Sequence, residues 1–389
     1  MKTTFEQELN DILGWWVREM TDLRSGGFYG RIDGEGTLHP EAEKGIILNT
    51  RILWTFSAAA RSTGNPDWQQ AADRAFHYIA SYFYDPEYQG VYWSLDHLGA
   101  PAQTKKQSYA QAFAIYALSE YYLLTRSPES LHLAQQIFSR LETHALDKVR
   151  NGYLEAFTRE WGAMADIRLS DKDANEAKTQ NTHLHILEAY TNLCRCDNSA
   201  PVKDALRNLI FLFTDKFIDP ESAHIHLFFD EEWSLRSDIV SYGHDIEASW
   251  LLWEAAEVLD EAAVKTLLKP ICLRIAEVTL KEATEADGAV INEYYPSQQR
   301  YDRDRIWWVQ AEAMVGFWNA WQLSGETRYR EAALRTWNYI LDNQRDTVGG
   351  EWFWNVSAEG IPSRSEDKAG FWKCPYHNGR ALMEMIRRA

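Results

Sequence analysis

Gly90-Val91-Tyr92-Trp93, followed by a polar stretch and then by the nearly all-apolar run from Tyr109 to Leu124, is one copy of a phrase that recurs along the chain. The other openings are Gly26-Gly27-Phe28-Tyr29, Asn151-Gly152-Tyr153-Leu154, His226-Leu227-Phe228-Phe229, Gly288-Ala289-Val290-Ile291 and Gly349-Gly350-Glu351-Trp352. Dividing 389 residues by six copies gives a period of about 65, room for two helices and a hairpin-like connection. The helices are of two kinds. Between Trp68 and Asp85 the apolar residues Ala72, Phe76, Ile79 and Phe83 fall at i, i+4, i+7 and i+11, the stripe of a helix with one wet face. The segments Tyr109 to Leu124, Thr182 to Leu193, Asp245 to Leu259 and Trp308 to Leu323 are apolar on most faces, as helices covered on all sides must be. Twelve helices alternating between an outer and an inner ring, with no βαβ pattern, predict an all-α fold, an (α/α)6 barrel of six inner and six outer helices with long loops at one end. No linker rich in Pro, Gly or Ser divides the chain, so residues 1–389 are read as a single domain.

Composition narrows the class. With 45% hydrophobic and 25% charged residues the chain is an ordinary globular sequence, which excludes disordered, collagenous and disulfide-scaffold proteins. Asp and Glu outnumber Lys and Arg by 57 to 40, and the resulting net charge of −17 repels phosphate backbones and anionic lipid, so neither nucleic acid nor membrane is expected as a partner. There is no apolar run of membrane-spanning length, and Met1 to Asp11 is polar, so a cytoplasmic monomer is expected. Cys194, Cys196, Cys272 and Cys374 have neither disulfide-framework nor common zinc spacing and read as free thiols. The 52 aromatic residues (17 Trp, 19 Tyr, 16 Phe) suit the packing of a core and also the faces of sugar rings.

In such a barrel the long loops lead into the N-termini of the inner helices, and six helix starts converge on one cavity. Those starts carry Asn49-Thr50-Arg51, Tyr109 with Gln111, Asn181-Thr182-His183-Leu184-His185, His244-Asp245-Ile246-Glu247, Trp308 with Glu312, and His377. Polar side chains at the openings of otherwise apolar helices need partners or a ligand. Asn181 and His185, His244 and Glu247, and Trp308 and Glu312 are spaced to share a helix face. His185, His244 and His377 read as occupying equivalent points of three repeats, whereas His183 points elsewhere and reads as a packing or capping residue. His224 and His226 read as loop residues.

Three rival readings compete for these residues. A metal held by His183, His185, His244 and Glu247 is disfavoured because His-x-His on a helix diverges and Arg51 sits close by, so no metal is expected. A glycoside hydrolase needs two central carboxylates, and a pure sugar-binding barrel has no use for three converging imidazoles. Imidazoles near a pKa of ~6.5 move protons at neutral pH. Two of them flanking a carbon next to a carbonyl can epimerise it, with Arg51 holding the enediolate and no cofactor required.

The stretches Asn49 to Ser57, Ser170-Asp171-Lys172-Asp173, Asn181 to Tyr190 and Gly243 to Trp250 resemble the cellobiose 2-epimerases of the N-acylglucosamine 2-epimerase superfamily, over essentially the whole chain. The resemblance implies C2 epimerisation of the reducing-end glucose of β-1,4-linked disaccharides, cellobiose to glucosylmannose or lactose to epilactose. It implies His377 and His244 as the paired acid and base, and His185 with Asn181 behind it for ring opening. Arg51 is implied to bind the charged oxygens, and Tyr109, Glu247 and Glu312 the hydroxyls. Trp308 and Trp372 are implied to stack on the sugar, with Asp173 and Trp250 carried over as further binding residues. Mannose 2-epimerases share this set, so a monosaccharide substrate is the alternative.

Overall fold

The computed structural model describes residues 2–170 and 173–389, and the chain there runs as twelve alternating α-helices. Asp171 and Lys172 of the Ser-Asp-Lys-Asp stretch lie outside the described residues. The outer helices are α1 (Lys2–Met20), α3 (Pro66–Tyr78), α5 (Pro128–Arg140), α7 (Ala200–Leu212), α9 (Ala262–Ala283) and α11 (Thr327–Tyr339). The inner helices are α2 (Ile46–Thr63), α4 (Ser108–Thr125), α6 (Gln180–Cys196), α8 (Tyr242–Leu259), α10 (Trp307–Ser324) and α12 (Tyr376–Arg388). Each inner helix packs on the next, and α12 returns to α2, closing an (α/α)6 barrel. Ala72, Phe76, Ile79 and Phe83 all turn inward, and α4 is buried from Ser108 to Tyr121, as the two hydropathy patterns require.

The two ends of the barrel differ because the two kinds of connection differ. Inner-to-outer turns are short. Gly64, at φ 69°, ends α2 with its N–H on Ala60 O, Asn65 then caps α3 by accepting from Asp67 N, and Pro66 opens that helix. Outer-to-inner connections are long. Before four of them, the last turn of α3, α5, α7 and α11 widens to i→i+5 bonding, as in Tyr84 N to Ile79 O (3.0 Å) and Leu146 N to Leu141 O (3.1 Å). The chain then folds back in a short hairpin. Its start is an aspartate paired with a buried lysine at the entry of the following inner helix: Asp22 with Lys44, Asp85 with Lys106, Asp147 with Lys178 and Asp346 with Lys368. Since an unpaired charge at such depth costs about 3–5 kcal/mol, these pairs anchor the connections that lead into α2, α4, α6 and α12. Strands of two or three residues, such as Lys44–Gly45 with Ser94–Leu95, line the rim at this end.

One opening is misplaced by the sequence reading. The residue bridging back to the outer helix is Val91 opposite Tyr84 and Tyr153 opposite Leu146, and in the fourth copy it is Ile225 opposite Ile218. The stretch from His226 therefore starts one residue past the bridging position, at least two residues later than the other openings, because this copy lacks the glycine that marks the turn elsewhere.

Candidate active site

The fourth residue of four inner helices clasps the hairpin backbone. Gln111 accepts from Val91 N and donates to Val91 O (2.7 and 2.9 Å), and Gln310 does the same with Val290 (2.9 and 2.7 Å). Asp245 accepts from Ile225 N, and His183 Nε2 accepts from Tyr153 N at 2.8 Å while its Nδ1 meets Thr179 O at 2.6 Å. Both ring nitrogens of His183 are thus used by backbone, so it is structural and cannot ligate a metal. Burial pushes it down to about 3, which keeps the ring neutral.

The clasp gives a register for comparing helices. One position before it stand His244 in α8 and, before Asn378, His377 in α12; two positions after it stand Arg51, Phe113, His185, Glu247, Glu312 and Arg380. His185 is therefore not equivalent to the other two histidines, as the sequence reading had it. It lies three residues further along its helix, about 4.5 Å deeper at 1.5 Å per residue.

The two levels nevertheless meet around one chamber of about 190 Å³, lined by Arg51, Tyr109, Asn181, His185, His244, Glu247, Trp307, Trp308, Trp354, Trp372 and His377. Trp308 leans on both His244 (4.9 Å between centroids) and His377 (5.7 Å), and Tyr109 crosses His185 edge-on at 4.9 Å. Each catalytic candidate has its Nδ1 held: His185 by Glu188 at 3.0 Å, His377 by Glu312 at 2.6 Å and His244 by Ser241 Oγ at 2.8 Å. An ionised carboxylate can only accept, so Nδ1 of His185 and of His377 carries the hydrogen and Nε2 carries the lone pair.

Three sequence-stretch residues sit elsewhere than expected. Glu312 does not reach the chamber; its carboxylate stands behind His377. Trp250 is buried below, where its Nε1 donates to Glu312 Oε2 at 3.0 Å. Asp173 accepts from the backbone and hydroxyl of Ser170 (2.9 and 2.6 Å) and lines a small adjoining pocket with Asn181 and His244. A short polar residue that can serve its own loop does so, and that competition is invisible in a motif.

Beneath the chamber Arg380 gathers Glu188, Glu247 (2.7 Å) and Glu312 (2.6 Å), with Tyr376 alongside. Glu247, Glu312 and His377 present atoms within 4.8 Å of one another, a grouping that could hold a cation, but the guanidinium of Arg380 already bonds both carboxylates. Neither Glu188 nor Arg380 was singled out in the sequence, although Glu188 lies at i+3 from His185 and Arg380 at i+3 from His377. That spacing was the available signal.

Charge is distributed unevenly. Burial, with His185 nearby, pushes His244 down to about 3, and burial with Arg51 and Arg380 holds His377 well below its ordinary value. Both are neutral bases at pH 7. Burial opposes ionisation of Glu188, but Arg380 and His185 outweigh it and hold this carboxylate at about 2. Burial and neighbouring Glu312 lift Glu247 to about 7 against the pull of Arg380. Arg51 donates to Tyr109 OH (2.7 Å) and Trp372 O (3.3 Å), lies 4.4 Å over the Phe113 ring, and has no carboxylate partner among the described residues. A buried cation without a counter-ion is a place for a developing anion.

Among the described residues Glu247 is the one carboxylate lining the chamber, so the lining there does not present the pair of facing carboxylates that a hydrolase requires. Fold and site together define an (α/α)6 barrel whose chamber is lined by three imidazoles, a guanidinium and aromatic rings. Residues 27–381 match the family described as N-acylglucosamine 2-epimerase (GlcNAc 2-epimerase). A cellobiose 2-epimerase of Bacteroides fragilis is 49% identical over 387 residues, covering 99% of this chain and 98% of that protein. A solved sugar epimerase from a ruminal bacterium superposes with a TM-score of 0.96 at 40% identity, covering 100% of this chain and 99% of that one. The cellobiose 2-epimerase of Bacillus thermoamylovorans gives 0.94 at 38%, with both chains fully covered. The chain belongs to the N-acylglucosamine 2-epimerase family and is an isomerase of the epimerase type. All four cysteines are free thiols, and no helix among the described residues is long and apolar enough to cross a membrane.

Proposed function

We propose that the protein inverts C2 of the reducing-end glucose of β-1,4-linked disaccharides, interconverting cellobiose with glucosylmannose and lactose with epilactose. The carrying observation is that three imidazoles, each with Nδ1 anchored, share one chamber with a guanidinium that has no carboxylate partner among the described residues.

His185 and Asn181 assist ring opening, which exposes the C1 aldehyde and makes the C2 hydrogen acidic. One of His244 and His377 takes that proton through Nε2, and the electron pair moves onto O1 to give a cis-enediolate. Arg51, in a water-poor setting where charge–charge attraction is strong, holds the enediolate oxygens. Rotation about C2–C3 turns the other face of C2 toward the second histidine, which, having taken up a proton on Nε2 from solvent, delivers it to C2 before the ring closes, while the first histidine gives its proton back to solvent. Atoms balance without a redox partner. Glu312 behind His377 stabilises the imidazolium formed during the cycle, and Trp308, lying against both histidines, fixes the sugar plane between them. Tyr109 and Glu247 bond hydroxyls, and Trp372 walls the chamber. The non-reducing ring extends toward the mouth past Trp372 and Trp93, whose rings stand 6.0 Å apart. The names borne by relatives of 38–49% identity support the disaccharide over free mannose.

The test is incubation in deuterated water with cellobiose, lactose and mannose in separate tubes, followed by NMR. Deuterium at C2 of the reducing glucose together with the C2 epimer is the expected result. Exchange with mannose alone would replace the disaccharide by the monosaccharide, and release of free glucose from cellobiose without label would overturn the reaction type.

A further inference from the structure

The end of the barrel away from the histidines holds a larger cavity, of about 1010 Å³. Its deep wall is Trp54, stacked on Tyr116 at 5.0 Å, with Trp250 and Arg380. Its mouth carries three ion pairs contributed by the C-terminal ends of inner helices: Arg61 with Glu120 (2.8 Å), Arg195 with Glu254 (2.9 Å) and Arg387 with Glu384 (2.5 Å). The side chain of Arg61 is 51% exposed, so the mouth opens to solvent.

The charge of this wall selects a ligand class. The charge of Arg380 is already engaged from the other side by Glu188, Glu247 and Glu312. Of the remaining described wall residues, the three paired arginines and Lys2 are matched by the three paired glutamates and Glu6, four positive against four negative. A phosphate or an amine would meet no net counter-charge there. A neutral molecule rich in hydroxyls would meet guanidinium donors, carboxylate acceptors and aromatic faces at once, and the volume lies at the upper end of ligand pockets. In the same walls Nε1 of Trp54, Nε1 of Trp68 and Nε of Arg380 are buried and have no hydrogen-bond partner among the described residues, and each such donor carries a desolvation cost that a ligand or water would relieve.

We propose that this cavity is a second saccharide site, and that its occupancy reaches the catalytic centre through the partition the two cavities share. The partition is thin: Trp250 Nε1 donates to Glu312 at 3.0 Å, Arg380 Nη2 to the same carboxylate at 2.6 Å, and Glu312 holds His377 Nδ1 at 2.6 Å. A sugar pressed on Trp250 and Arg380 moves the group that orients the histidine. The site itself stands on the cavity alone; its coupling to turnover rests on the catalytic reading above.

Methyl β-cellobioside, whose ring cannot open, is the probe, measured by calorimetry on the whole protein and as an inhibitor of epimerisation. Two variants narrow the lower cavity without touching the chamber: Ser62→Trp at its exposed lip and Ala58→Trp further in. Circular dichroism checks that each folds, and the Ser62 variant, on an exposed position, is expected to. The wild type should show two binding components and mixed inhibition. Both variants should weaken one component at least tenfold and leave inhibition purely competitive, while Trp308→Ala should remove the other component. A single component lost in Trp308→Ala and unchanged in Ser62→Trp, with purely competitive inhibition throughout, would overturn the proposal. Two components in a protein that never exchanges the C2 hydrogen would retain the second site and sink the catalytic reading instead.

Discussion

Replacing Glu312 by glutamine separates the two roles that this residue can have. In the sequence it reads as a hydroxyl-binding group, whereas in the structure its carboxylate meets His377 Nδ1 at 2.6 Å with both side chains buried. Glutamine keeps the volume and one acceptor oxygen, which when turned to His377 and Arg380 leaves Trp250 Nε1 facing the amide NH2, and Arg380 keeps Glu188 and Glu247, so the scaffold survives. What is lost is the negative charge beside an imidazolium that exists only while His377 carries a substrate proton. Exchanging a charge-assisted hydrogen bond for a neutral one costs about 2–3 kcal/mol in such a place. Because that loss falls on the transition state, kcat should drop roughly 30- to 150-fold while KM moves by no more than about threefold. Should the amide present its NH2 to Nδ1, the ring would be forced into the other tautomer and the loss would be larger. Initial rates over a range of cellobiose concentrations, with a melting curve to confirm folding, decide it. A KM raised tenfold or more at unchanged kcat would place Glu312 on the sugar and refute the orienting role.

Three further outcomes follow from the same geometry. Arg51→Lys leaves one compact ammonium where a planar group now reaches Tyr109 and Trp372 while lying over Phe113, so kcat/KM should fall about 10²- to 10³-fold; a change under threefold in progress curves would remove Arg51 from the enediolate. Glu247, lifted to about 7, is mostly protonated at pH 6 and ionised at pH 8, so kcat/KM should inflect near pH 7; persistence of that inflection in Glu247→Gln would assign it to another group. His183→Gln should cost under about 1.5 kcal/mol of stability because Gln111 and Gln310 make the same clasp in neighbouring repeats, whereas His183→Ala should cost about 2–4. The native ring titrates at about 3 against ~6.5 unfolded, so the unfolded chain binds the extra proton between those values and the histidine lowers stability as pH falls below 6.5. The glutamine variant should therefore gain on the wild type by about 1.4 kcal/mol per pH unit over that window. Denaturant melts at pH 7, 6 and 5 read this as a difference, since Glu155 and Glu247, both raised, titrate in the opposite sense over part of the same range.

Which parts of this molecule were legible in the sequence follows from what one helix can say about itself. Ring membership is a property of a single helix's faces, so α4 could be assigned to the inside and α3 to the outside from hydropathy alone. Helix starts were legible for the same reason: His244, His377, Arg51 and Tyr109 stand out as polar or ring-bearing residues at the head of apolar runs, and they do line the chamber. Depth was not legible. His185 and His244 each sit near a helix start, and only the clasp bonds of His183 and Asp245 to the hairpins show that one is a turn deeper than the other. Charge balance was still less so, because the carboxylates that orient the histidines answer to Arg380, which α12 delivers some 190 residues after Glu188. A sequence ranks Glu188, Glu247 and Glu312 alike as glutamates within apolar helices. Their neighbours set them apart: Arg380 together with His185 outweighs burial and holds Glu188 at about 2, whereas burial and Glu312 lift Glu247 to about 7, which fits the first to steady a cation and the second to exchange hydrogen bonds with a sugar. The division of labour among identical side chains is thus carried by the closure of the ring, and a change that loosened α12 from α2 would blur it before it unfolded the barrel.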